Sequence, residues 1–146
     1  MNDKMQDLSS YEINLDRINE GNGDTLMASL GIRFTHLSPG RCEAVMAVEK
    51  KVCQPFGILH GGATLALAET VAGQGSLMLC SEEEVPAGIQ VSGNHLSPAK
   101  EGETVHAVGT VLQKGRTIHI WHIDVTAGDG RIISTVRVVN SILKRR

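Results

Sequence analysis

Aromatic side chains are scarce in this 146-residue chain: Tyr11, Phe34, Phe56 and Trp121 are all it has. Proteins that hold single-stranded nucleic acid stack bases on aromatic platforms, so that class is disfavoured. An excess of positive charge is missing too. Sixteen acids against fourteen bases give a formal net charge of -2, and such a chain has no basic domain to hold phosphate backbones. Lys144-Arg145-Arg146 reads as a solvated tail. No run approaches the roughly 20 apolar residues of a membrane-spanning helix. Residues 1–10 are polar and lack the apolar segment of a secretion signal. The three cysteines, Cys42, Cys53 and Cys80, are odd in number and share no close spacing. That argues against a disulfide scaffold or a zinc cluster and for reduced thiols in a cytoplasmic protein.

What is present fits one domain. Glu12 to Glu20 reads as a short helix, broken by Gly21-Asn22-Gly23. Asp24 can cap a second short helix over Thr25 to Leu30, which Gly31 ends. Ile32 to Leu37 and Arg41 to Glu49 are strands about a Pro39-Gly40 turn. The second alternates, with Cys42, Ala44, Met46 and Val48 on one face. Lys50 to Leu59 is loop, and a long helix runs from about Gly61 to Cys80. Glu82-Glu83-Glu84 reads as a solvated turn. Ala87 to Leu96, Thr104 to Gln113, Arg116 to Thr126 and Arg131 to Leu143 are strands with turn-like joints, the last three an antiparallel meander. One long helix against a largely antiparallel sheet is an α+β domain.

The richest stretch is Gln54 to Gly73. Between Lys51 and Glu82 the single formally charged side chain is Glu69. Its helical neighbours are Gly62, Leu65, Ala66, Ala72, Gly73 and Ser76, small or apolar and none of them a cation. Either this stripe faces solvent, or a lone acid is kept there for a reason. His60-Gly61-Gly62 enters the helix where N–H groups lack intrahelical partners. An N–H of Gly61 or Gly62 there suits a carbonyl oxygen that becomes negative, an oxyanion hole. Glu69 lies roughly 12 Å further along the helix, out of reach of a carbonyl at its own helix start. Two antiparallel helices about a two-fold axis would bring it to the partner's helix start, giving two shared sites.

The other candidates carry less. His119 and His122 point to opposite faces of a strand, and no His or Cys spacing suits a metal, so no metal is expected. His36 and His106 read as structural or surface residues. His95 sits at a strand end, where ligands often bind. Ser76 and Cys80 have no histidine arranged beside them in sequence. Lys114-Gly115-Arg116-Thr117 is either a solvated hairpin or a phosphate clamp.

Gln54-Pro55-Phe56-Gly57, His60-Gly61-Gly62, Glu69, Asn94-His95-Leu96 and Gly115-Arg116 together resemble the hotdog-fold acyl-CoA thioesterases. The nearest branch is that of phenylacetate-pathway and Arthrobacter-type 4-hydroxybenzoyl-CoA thioesterases, which includes the menaquinone-pathway enzymes. The resemblance runs from about residue 26 to the C-terminus, with residues 1–25 as an N-terminal extension. It implies a long helix wrapped by an antiparallel sheet, a homodimer joined edge to edge, often a dimer-of-dimers tetramer, and no cofactor. It implies that Gly61 polarises the thioester carbonyl and that Glu69 of the facing protomer is nucleophile or general base. Gln54 and His60 would hold the thioester. Gly62, Thr70, Gly88, His95, Gly115, Arg116 and Thr117 would lie along the acyl-CoA.

Two departures stand out. Relatives often carry Ser or Thr one turn past the acid, where this chain has Ala72 and Gly73. Some place an arginine near His95, where this chain has Ser97-Pro98. Two rival readings remain: a hotdog hydratase-dehydratase using His60 with Glu69, and a non-catalytic acyl-CoA-binding module. The first 30 residues are too short and too little basic for the effector domain that such a module usually carries.

Overall fold

The computed structural model describes residues 13–146. The expected helix start at Glu12 lies outside them. Two short helices open the described chain, α1 (Leu15–Gly21) and α2 (Leu26–Leu30). Asn14 caps α1 by accepting the Arg17 N–H at 3.1 Å. Asp24 does not cap α2. It takes a left-handed turn conformation with φ 59, and Thr25 stands at the N-cap instead. Short polar residues tolerate that region, so Asp24 closes the turn that the glycines begin.

Six strands follow: β1 (Arg33–Ser38), β2 (Arg41–Ala47), β3 (Glu84–His95), β4 (Thr104–Lys114), β5 (Ile118–Ala127) and β6 (Ile132–Lys144). They form one sheet in the order β1-β2-β4-β5-β6-β3, with every pairing antiparallel. Between β2 and β3 runs α3 (Gly61–Leu79), after a short 3-10 turn at Lys50–Val52. The sheet wraps one side of α3, which is the hotdog arrangement.

The alternation expected of β2 is present: Cys42, Ala44 and Met46 are fully buried, and Val48 follows at 1% exposure. From β4, β5 and β6, Val105, Ala107, Trp121, Ile123, Val125, Val136 and Val138 face the helix. Leu67, Ala68, Val71 and Ala72 of α3 meet them. Fully burying one Val, Leu or Ile stabilises by about 1.5–3 kcal/mol, so this layer fixes where α3 lies. Trp121 passes so close to the helix that a β-carbon on Gly75 would collide with its ring.

The two sheet edges differ. On β1, the Asn19 carboxamide grips the Phe34 peptide, accepting its N–H at 2.7 Å and donating to its carbonyl at 3.0 Å. On β3, twelve residues long, Ile89 is 60% exposed. β3 begins three residues before the expected Ala87 and includes Pro86. An edge strand tolerates a proline because one side of it has no ladder to lose. No helix among the described residues is long and apolar enough to cross a membrane.

Candidate active site

The loop 53–60 brings the chain to the start of α3 and is tied at several points. Gln54 N–H donates to Ile58 O at 2.7 Å, Gly57 N–H to Gln54 O at 3.0 Å, and Leu59 N–H to Ala99 O at 2.8 Å. Gly57 has φ 86, a conformation that glycine adopts without strain. His60 is the N-cap, and its Nδ1 accepts the Gly62 N–H at 2.8 Å. A neutral imidazole that accepts through Nδ1 carries its proton on Nε2. The N–H groups of Ala63 and Thr64 are taken by the His60 carbonyl, at 3.0 and 3.2 Å.

That accounting separates the two glycines. Gly62 spends its N–H on the cap, whereas no acceptor among the described residues takes the N–H of Gly61. Gly61 also lines a cavity of about 360 Å³ with Gln54, Thr64, His95, Pro98 and Ser134. Gly62 lies on the other side of the helix start. There a hollow of about 310 Å³ is walled by Leu26, Leu30, Val52, His60 and Ala66.

His95 ends β3 inside the first cavity. Its Nδ1 is 2.7 Å from the hydroxyl of Ser134, a fully buried residue on β6. Its Nε2 is 2.5 Å from where a β-carbon on Gly61 would stand. The imidazole therefore lies against the helix start. Gln54, Gly61 and His95, singled out in the sequence, line one cavity, and His60, the residue before Gly61, walls the hollow on the other side of the helix start.

Glu69 and Thr70 are not part of that group. Gly62, Ala66, Glu69, Gly73 and Leu77 follow one another on the outward face of α3, half-buried or exposed along its length. Of the two readings, exposure holds for Glu69 in the single protomer, while Ala72 and Ser76 among its helical neighbours are fully buried. Glu69 makes no ion pair or hydrogen bond among the described residues, and its Oε1 lies beside the backbone of Gly88 on β3. Thr70 donates its hydroxyl to the Ala66 carbonyl at 2.7 Å, a bond within the helix.

The hairpin with Gly115, Arg116 and Thr117 joins β4 to β5 at the far end of α3 from His60. It shares that end with Cys80, whose thiol feels the charges of Glu84 and Lys114. Within one protomer it belongs to neither group. All three thiols are pushed up from their ordinary value, chiefly by burial, Cys42 to about 12. A thiol is nucleophilic as its anion, so none is poised for attack.

Ser134 and Asn140 were not legible beforehand. Each meets its partner across 39 or more residues: the β3–β6 pairing brings Ser134 to His95, and the packing of β6 on α3 brings Asn140 to Ser76. An alternating strand pattern flags such positions as inward-facing without naming what they touch.

A family model described as Thioesterase superfamily matches residues 56–134. The chain is 32% identical over 132 residues to the 1,4-dihydroxy-2-naphthoyl-CoA hydrolase of Escherichia coli, covering 90% of this chain and 96% of that one. The crystal structure of the thioesterase HI1161 of Haemophilus influenzae superposes with a TM-score of 0.86 at 30% identity, over 90% of this chain and 91% of that one. Two structures of the Staphylococcus aureus protein SAV0944 superpose with TM-scores of 0.80 and 0.78 at 32% identity, the first over 82% of this chain and 99% of that one. That protein is a thioesterase enzyme, and one of the two structures carries alanine in place of a glutamate and the other in place of a glutamine. Those two positions are 15 apart, the separation of Gln54 and Glu69 here.

Proposed function

The chain belongs to the thioesterase superfamily, and from that premise we propose that it hydrolyses acyl-CoA thioesters to free acid and CoA at a site shared between two protomers. One observation carries the reading. The free Gly61 N–H and the unpaired Glu69 carboxylate stand roughly 12 Å apart along one helix, too far to act on one carbonyl. Gly61 lines a cavity at the helix start and Glu69 stands on the outward face of the helix, so a carboxylate for that cavity has to come from a second copy.

Two protomers join through the β3 edges with their α3 helices antiparallel. The thioester carbonyl accepts from Gly61 N–H, where the helix dipole adds to the stabilisation of negative charge. Gln54 holds the thioester from the loop, and His60 offers its Nε2 proton beside it. Glu69 arrives from the partner. In one route its carboxylate bonds to the carbonyl carbon, the C–S bond breaks, CoA leaves as thiolate, and water cleaves the mixed anhydride. In the other it takes the proton of the attacking water, hydroxide forms that bond, and the C–S bond then breaks to release CoA thiolate and the free acid.

Apolar walls stand on both sides of the helix start: Leu26, Leu30, Val52 and Ala66 on one, Ile58, Pro98 and Ile133 on the other. They suit the two apolar pieces of a thioester, its acyl group and its pantetheine arm. Kinship with an aryl-CoA hydrolase favours an aromatic acyl group, with medium-chain acyl next, and the branch of aryl-CoA thioesterases named above. Antiparallel helices carry the partner's Gly115, Arg116 and Thr117 toward this protomer's helix start, as contacts for the CoA end. The working assembly is a homodimer, and two dimers pair into a tetramer in the cytoplasm, without a cofactor. The 15-residue separation shared with the substituted glutamine and glutamate of the Staphylococcus aureus thioesterase supports Gln54 and Glu69 as partners in function.

The test is thiol release from a panel of aryl- and alkyl-CoA thioesters. Glu69→Gln is expected to lower kcat by roughly 10²–10⁴-fold with the melting midpoint unchanged. Binding of acyl-CoA with no thiol released from any member would overturn hydrolysis and favour a hydratase or a binding module.

A further inference from the structure

Glu69 is exposed and unpaired among the described residues, yet its carboxylate has a definite neighbour. Its Oε1 lies 2.7 Å from the point where a β-carbon on Gly88 would stand, and the Oδ1 of Asn140 lies 3.6 Å from the same point. Gly88 and Asn140 are opposed in the β3–β6 register. Asn140 is 1% exposed and reaches from β6 to the helix. Its Nδ2 donates to the Ala72 carbonyl at 3.1 Å and to Ser76 Oγ at 2.9 Å, one and two turns past Glu69. The register also slips between Gly88 and Gln90, leaving Ile89 without a partner. Bulges on edge strands re-aim the backbone and recur beside active sites. The strand therefore presents bare backbone where the carboxylate lies, and Asn140 pins the helix that carries it.

We infer that the bare backbone at Gly88, opposite Asn140 in the register, is the seat of the Glu69 carboxylate, and that Gly88 is a positioning residue for thioester hydrolysis because it has no side chain. The inference rests on the role given to Glu69 above. A glycine inside a strand weakens it and often marks a close approach by another group; here that group is the acid itself. A methyl at position 88 meets the far end of a flexible side chain, not fixed backbone. The carboxylate gives way and the fold does not. A misplacement of about 1 Å at a reacting group can lower the rate by 10²-fold.

The experiment compares the wild-type protein with Gly88→Ala. It measures kcat and KM on the best thioester, the melting midpoint, and the ¹³C resonance of the Glu69 carboxyl. The expected result is a loss of kcat of about tenfold or more, KM within about threefold, an unchanged melting midpoint, and a displaced resonance. Glu69→Asp, one methylene shorter, then lowers kcat by a smaller factor in the Gly88→Ala background than in the wild type, since the two changes act on one contact. An unchanged kcat with an unmoved resonance overturns the seat. So does an equal effect of Glu69→Asp in both backgrounds. If Gly88→Ala does not fold, recovery of folding on adding Glu69→Ala supports the seat, and continued misfolding overturns it. If the wild type hydrolyses no thioester, the hydrolase reading falls, and the resonance alone decides the seat.

Discussion

His119 is a histidine whose burial disfavours a second proton. Its ring is 2% exposed, and its Nδ1 faces Ser76 Oγ at 3.1 Å. The same hydroxyl accepts from Trp121 Nε1–H at 2.8 Å and from Asn140 Nδ2–H at 2.9 Å. Burial, and next the charge of Lys114, push the imidazole below its ordinary 6.5, while Glu84 opposes them weakly. Above 6.5 the ring is neutral folded or unfolded. As pH falls below that value the unfolded chain takes up the proton first, so stability drains away across the window from about 6.5 down to the lowered folded value. The melting midpoint is expected to drop between pH 7.5 and 5, by about 2–4 °C per kcal/mol lost at this chain length. His119→Gln, which cannot titrate, lowers the midpoint at pH 7.5 but gives a shallower pH dependence. Equal slopes for the two proteins would refute this account. Sequence period alone placed His119 and His122 on opposite faces of β5. The hub at Ser76 was not legible, because its partners come from 43 to 64 residues away.

Along α3 two glycines that look alike in sequence do opposite things. Helix propensity alone expects Gly73→Ala and Gly75→Ala each to stabilise by roughly 1 kcal/mol. A β-carbon at Gly73 meets nothing within 4 Å, whereas one at Gly75 runs into the ring of Trp121, which is fully buried and held by Ser76. Overpacking a core costs about 1–3 kcal/mol and outweighs the gain in propensity. Gly73→Ala is thus expected to raise the denaturant midpoint and Gly75→Ala to lower it; the same sign for both would contradict the close approach of Trp121. The elements themselves were largely legible. The alternation of β2, the helix start at His60-Gly61-Gly62 and the meander of β4, β5 and β6 all follow from local pattern. The side of α3 on which Glu69 stands did not. Its small-residue stripe reads equally as a buried seam or an open face, and only the sheet's covering of one side of the helix leaves it open within the protomer.

For the whole molecule, the two-fold assembly proposed above draws on the unequal edges of the sheet. Asn19 takes the N–H and carbonyl of Phe34 on the short β1, while β3 is a twelve-residue edge strand with Ile89 exposed. A long open edge is a template for another strand, and a second copy of the same edge satisfies it by two-fold symmetry. Pairing there also sets two outward α3 faces against one another, which is what a shared site needs. Two inactive proteins test this directly. Glu69→Gln removes the acid, and Gln54→Ala removes a contact from the loop at the other end of the site. If each site takes Gln54 from one protomer and Glu69 from its partner, a mixed dimer has one site with both side chains intact and one with neither. Random reassortment of equal amounts makes about half the dimers mixed, so thiol release should return to about one quarter of the wild-type level. If Gln54 and Glu69 act within one protomer, mixing restores nothing, since every site then lacks one of them. Activity that fails to return after exchange of subunits, verified by mass, would remove the two-fold site and with it the reason for small residues along the open face of α3.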